Sequence, residues 1–376
     1  MNTKKIYLDY QATTPVSEKV LKKMMPYFTE KFGNPHSNNH SFGRETAEAI
    51  EDAREKIAKL INAEPSEIIF TSGATESNNI AIKSIAKSYF DKDFHVITVK
   101  TEHKCVLESC YALEQDNIKV HYLDVNDKGF IDLNTLENLL KAKPSFVSIM
   151  LANNEIGIIQ PLKEVGDLCK KYKAILHSDA AQGLEGSSLD VKYYNLHAAS
   201  ISAHKIYGPK GIGALYLSNE IKNAVKPLMS GGGQEMGLRS GTLSPALCVG
   251  FGEACSQINK YHNQYMDHYY MLKSTLVSEL EKAKINFAIN GDTSKRLPNN
   301  LNIRIKNKEA LALFNQMPHI ALSTGSACTS GTITRSHVLT ALKLSDEQID
   351  ESFRISLGRS TTTEDINEFV LQIKKL

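Results

Sequence analysis

The chain has 376 residues, 41% of them hydrophobic and 23% charged, with a net charge of +2. That balance is ordinary for a globular enzyme, sets up no strong field for nucleic acid or a membrane surface, and exceeds the roughly 250–300 residues one core serves, so two domains are expected. No apolar run approaches the roughly 18–20 residues of a membrane span, and six cysteines without Cys-x-x-Cys or zinc-like Cys/His spacing read as reduced thiols of a cytoplasmic protein with no resident metal.

Ile6-Tyr7-Leu8 reads as a strand at once, leaving no room for a signal peptide. A helical stretch from Glu45 to Ile61 precedes the buried strand Ile68-Ile69-Phe70. Thr71 to Glu76 follows that strand and opens a helix over Asn78 to Ser88. Small residues there let backbone N–H groups approach an anion, and the helix N-terminus favours phosphate. An ordinary N-cap, Ser72 or Thr75 with Glu76 as capping partner, weighs equally.

Val96 to Val99 is the next strand and leads into Glu102-His103. Helical Thr135 to Ala142 precedes the strand Phe146 to Met150, which leads into Asn153-Asn154. Helical Leu162 to Tyr172 precedes Ala174 to His177, which leads into Asp179 to Gln182. Ala199 to Ser202 ends at His204-Lys205, and Gly213 to Leu217 closes the series. This alternation predicts an α/β fold, a mainly parallel sheet covered on both faces by helices. Ligands of such sheets sit beyond the carboxyl ends of the strands, so all five polar clusters are expected at one edge.

After Gly250 the texture changes to a long polar helix from about Gln257 to Ala283, then strand-like Leu301 to Ile305. This predicts a smaller α+β domain, residues 1–15 and 260–376, beside a large domain of residues 16–259.

Asp179 and Lys205 lie one supersecondary unit apart, each after an apolar run. A carboxylate and an amine so placed suit pyridoxal phosphate, which needs an amine for a Schiff base and a carboxylate for its pyridine nitrogen. Taken alone, Lys205 is a solvated surface lysine. His103 suits ring stacking and proton transfer, although a single histidine is more often a satisfied loop residue. Asn154 and Gln182 are candidate donors to the phenolic oxygen or, singly, turn and capping residues. Ser202 and His204 flank the lysine and suit phosphate. Arg239 to Thr242 follows Gly231-Gly232-Gly233 and reads as a donor delivered to a neighbouring site or as a surface loop. Cys328 is surrounded by small residues from Ser323 to Gly331, which provide no apolar pocket for a thiol, so it reads as a nucleophile. Cys105 reads as a packed helix residue before it reads as a second thiol of the site. Arg354, in a strand-like run, needs an anionic partner: a substrate carboxylate or an internal salt bridge, at even odds.

Together these residues resemble the cysteine desulfurases, pyridoxal phosphate enzymes of fold type I within the class-V aminotransferase family, and most closely the IscS/NifS group. The resemblance covers nearly the whole chain. It is carried by Tyr7 to Pro15, Phe32-Gly33-Asn34-Pro35, Thr71 to Asn79, Thr101-Glu102-His103-Lys104, Asn153 to Gly157, His204 to Gly213, Arg239 to Thr242, Gly325 to Cys328, and Arg354. It implies that Lys205 carries pyridoxal 5'-phosphate, that Asp179 pairs with its ring nitrogen and that His103 stacks on the ring. It further implies phosphate contacts from Ala74, Thr75, Ser202 and His204, with Thr242 supplied by the partner subunit of a homodimer, and a substrate carboxylate held by Arg354 and Asn34. Cys328 then takes sulfur from L-cysteine as a persulfide, releasing L-alanine. From there sulfur passes to an iron–sulfur scaffold protein, with Cys328 a transient cluster ligand through its persulfide, or to tRNA-thiolation carriers. Selenocysteine lyase, or a non-catalytic pyridoxal phosphate-binding scaffold for sulfur transfer, are the alternatives.

Overall fold

The computed structural model describes residues 4–88, 93–325 and 335–376. Twelve strands occur among them. They are β1 (Ile6–Tyr7), β2 (Ile68–Thr71), β3 (His95–Val99), β4 (Lys119–Leu123), β5 (Ser145–Ser148), β6 (Ile175–Asp179), β7 (Ala198–Ser202), β8 (Gly213–Leu217), β9 (Phe287–Ile289), β10 (Asn300–Ile305), β11 (Ile320–Ala321) and β12 (Ser352–Ser356).

Seven strands form the main sheet in the order β2-β8-β7-β6-β5-β3-β4. Only β8 runs against its neighbours β2 and β7; the other pairings are parallel. The sheet is therefore mainly parallel, and β2, β3, β5, β6 and β7 all end at the same edge. Alternate side chains serve opposite faces. Ile68, Phe70, Ile97, Val147, Leu176 and Ala199 join the larger core, whereas Ile69, Val96, Phe146, Ile175 and Ala198 join the core on the other face. Burial on both faces explains why these strands read as short continuous apolar runs. β4 escapes that signature because it lies at the sheet edge and exposes or half-exposes all but Leu123.

A third core combines Ile6 and Leu8 with Leu301, Ile303, Phe353, Ile355 and the Thr363–Lys375 helix. Antiparallel β12-β10-β9 forms its sheet, and β1 pairs in parallel with β11. One 38-residue helix, Pro245–Lys282, serves both regions: Phe251, Cys255 and Ile258 pack into the larger core, Tyr269, Leu272, Leu276 and Leu280 into the third.

This helix begins a dozen residues before the sequence suggests. Gly250, where the sequence changes texture, and Gly252 are packing devices. A Cβ on Gly252 would lie 2.7 Å from Cα of Ala53, so its absence lets the Ser41–Leu60 helix approach closely.

Candidate active site

The five strand ends converge on a cavity of about 460 Å³. Ten of the expected site residues line it: Ala74, Thr75, His103, Asn154, Asp179, Gln182, Ser202, His204, Lys205 and Arg354. Asn34 and Thr242 are exposed and lie outside it; the Asn34 side chain accepts from the His36 N–H at 3.0 Å. Cys328 lies outside the described residues.

Asp179 closes β6 and is almost buried. Its carboxylate is fixed from two sides, accepting from Asn78 Nδ2 at 2.7 Å and from the Ala181 N–H at 3.0 Å. Glu102, beside it and fully buried, accepts from the Met150 N–H at 2.6 Å. Burial and the Asp179 charge push the Glu102 carboxyl well above its ordinary range.

Lys205 follows β7 on a short 3₁₀ turn, Ala203–Lys205. Its Nζ donates to the carbonyls of Gln11 at 2.5 Å and Ala12 at 2.9 Å, and Gln182 Nε2 donates to the same Gln11 carbonyl at 3.0 Å. The N-terminal arm is tied down here, because the Thr14 N–H donates to the His204 carbonyl and the Tyr207 N–H to Thr14 Oγ1. Gln11, Ala12 and Thr13 are thus a wall of the cavity that residue-type reasoning missed. Backbone carbonyls leave no trace in side-chain chemistry; the only signal was the Tyr7 to Pro15 motif.

His204 contacts Thr13 Oγ1 at 3.1 Å. Burial, with the charges of Lys205 and Lys210, pushes it down to about 4, leaving a neutral imidazole. Gly73 begins the Ala74–Asn79 helix at φ +151, conformational space that side chains rarely enter, and the nearest atom to a Cβ there is Ser202 Oγ at 3.9 Å. The first turn thus faces open space framed by Ser202, a cradle for an anion. The expected capping box does not form: Gly73, not Ser72 or Thr75, is the N-cap, and Glu76 reaches back to accept from the Ser72 N–H that precedes it. Glu76 also pairs with Arg239 at 2.9 Å, bringing the glycine-rich segment against the cavity within one chain. Burial alone would raise the Glu76 carboxyl, but its Arg239 and Ser72 hydrogen bonds hold it below the ordinary value.

Arg354, on β12, donates to the Asn154 carbonyl and to Asp9 Oδ1, each at 2.6 Å, and its Nε has no hydrogen-bond partner among the described residues. Asn153 is structural: its Oδ1 accepts from the Glu155 and Ile156 N–H groups, holding the turn that presents Asn154. Cys105 also reaches the cavity.

An amine, a fixed carboxylate, an anion cradle and a guanidinium around one cavity suit a phosphorylated aldehyde cofactor and an amino-acid substrate. The sequence profile of the class-V aminotransferases matches residues 6–369. The cysteine desulfurase IscS of Rickettsia africae is 47% identical over 362 residues, spanning 96% of this chain and 88% of that protein; IscS of Rickettsia typhi matches at the same level. Among solved structures, a NifS-like protein superposes with a TM-score of 0.92 at 36% identity, covering 99% of this chain and 98% of that one. SspA in complex with cysteine superposes at 0.83 with 36% identity, covering 94% and 98%.

Proposed function

The chain belongs to the class-V aminotransferase family, and on that footing we propose that it is a cysteine desulfurase, releasing L-alanine from L-cysteine and passing the sulfur on as a persulfide. The observation that carries this reading is the meeting of Lys205, Asp179, His103 and Arg354 in one cavity of a chain 47% identical to a cysteine desulfurase.

The family uses pyridoxal phosphate, which when bound supplies an aldehyde to capture the substrate amine and a ring to accept charge from Cα. The residues fit that group. Lys205 is the amine for the aldehyde, and Asp179, held by Asn78 and Ala181, faces the task of keeping the ring nitrogen protonated. The Gly73–Thr75 turn, Ser202 and neutral His204 would hold the phosphate, with Thr242 of the partner subunit in a homodimer. Asn154 and Gln182 would serve the ring substituents, and His103 would lie against the ring. Lys205 and His103 are the acid/base groups of this reading. Arg354, with Asn34, orients the substrate carboxylate. Cys328, as a thiolate, accepts the substrate sulfur.

The acceptors in this reading are an iron–sulfur scaffold protein and tRNA-thiolation carriers, in the cytoplasm. Among the described residues no helix is long and apolar enough to cross a membrane.

The test is direct. Purified protein with pyridoxal phosphate, L-cysteine and reductant should yield alanine and sulfide in equal amounts; with L-cysteine and no added reductant, Cys328 should carry one added sulfur by mass spectrometry. Cys328→Ser should lose sulfide release and keep the visible absorbance of the cofactor. Full activity in that variant would favour selenocysteine lyase, and no alanine from the parent protein would sink the enzyme reading.

A further inference from the structure

Cys105 has no part in the mechanism above, yet its thiol sits at a junction within the cavity. Its Sγ is 3.0 Å from His103 Nδ1 and 3.1 Å from Asn78 Nδ2. The same Asn78 nitrogen donates to Asp179 Oδ2 at 2.7 Å, and Asn78 is fully buried. A continuous polar line, Asp179–Asn78–Cys105–His103, therefore joins the carboxylate and the imidazole of the proposed cofactor site.

Two protonation states suit a thiol beside an imidazole. In one, a thiolate accepts from an imidazolium Nδ1–H, which would make Cys105 a nucleophile. In the other, a neutral thiol donates to the Nδ1 lone pair. The backbone decides between them. His103 Nδ1 also accepts the main-chain N–H of Cys105 at 3.2 Å, capping the Lys104–Gln115 helix. A main-chain N–H only donates, so Nδ1 presents its lone pair and the ring proton belongs on Nε2. The thiol is then the only partner able to donate across the 3.0 Å contact. Asn78, a donor, faces the sulfur as acceptor and leaves its S–H for the ring.

We propose that Cys105 is a positioning residue: its S–H holds His103 in the neutral, Nε2-protonated form and ties the imidazole to Asp179 through Asn78. Cys105 acts through His103 and not as a second nucleophile. The catalytic consequence rests on the cavity being the cofactor site; the tautomer does not.

The experiment is NMR of protein loaded with cofactor and labelled with ¹⁵N-histidine, followed across pH in the parent, Cys105→Ala and Cys105→Ser. The His103 signals are assigned by their loss in His103→Gln. In the parent, Nδ1 should be unprotonated and Nε2 protonated at neutral pH. Cys105→Ala removes the thiol donor to Nδ1, a neutral hydrogen bond, and should raise the proton affinity of His103 about 2- to 10-fold. Cys105→Ser, which keeps a donor, should restore it. A parent His103 protonated on Nδ1, or an Ala variant titrating like the parent, overturns the proposal; the parent tautomer alone decides if the Ala variant does not fold. No turnover is involved, so this result and the alanine and sulfide assay fail independently.

Discussion

Arg354 and Asp9 form an ion pair at 2.6 Å in which the arginine side chain is only 2% exposed. The sequence posed an internal salt bridge and a substrate contact as alternatives for Arg354. One side chain combines the salt bridge with a place on the cavity wall, because the guanidinium has five donors and Asp9 and the Asn154 carbonyl engage only part of the fork. Arg354→Lys keeps a charge for Asp9 and loses the fork. Steady-state kinetics with L-cysteine should show KM rising about 10- to 100-fold with a smaller change in kcat, if a carboxylate is bound in two-pronged fashion. An unchanged KM would leave Arg354 with its structural role alone.

Lys205→Ala removes the amine that holds the Gln11 and Ala12 carbonyls and that would bond the cofactor. Activity should fall by at least about 10²-fold, the usual scale for a lost acid–base group. The purified variant should also lack the parent's visible absorbance after dialysis. Retained absorbance would assign the cofactor amine elsewhere.

Glu155 has both carboxyl oxygens buried without a close hydrogen-bond partner among the described residues, and a Cβ on Gly325 would lie 3.1 Å from one of them. Burial, offset in part by the nearby Ser336 hydroxyl and the Arg354 charge, pushes its carboxyl up to about 7. The folded protein therefore holds this proton more tightly than the unfolded chain. Its stabilising effect is complete below pH of about 4.5 and is lost as pH rises through 7. Glu155→Gln keeps the shape without the charge. Denaturant unfolding should find the variant close to the parent at pH 5 and more stable at pH 8, by up to about 3 kcal/mol. Equal stability at both pH values would show that Glu155 carries no such cost.

Gly252→Ala places a methyl 2.7 Å from Cα of Ala53, where two helices meet backbone to backbone. Such overpacking should cost about 1–3 kcal/mol in urea unfolding. A neutral result would mean that the Pro245–Lys282 helix shifts freely over its neighbour.

The sequence by itself determined the order of the sheet's raw material and where its chemistry lies. Strands buried on both faces must be short apolar runs, and parallel connections bring their carboxyl ends to one edge. Asp179, Lys205, His103 and Asn154 were legible because each directly follows such a run. Tertiary structure decided what no local pattern encodes. Arg354 meets Asp9 345 positions away in the chain, and Lys205 meets the carbonyl of Gln11 194 positions away. The sequence changes texture after Gly250, yet Gly250 and Gly252 lie within one helix as close contacts, since a missing Cβ has meaning only against the neighbour that fills its space. Cys105 looked like a packed helix residue, and only the fold brings its thiol into contact with both Asn78 and His103. Contacts over such spans depend on which surfaces the folded core brings together, and local periodicity carries no record of them.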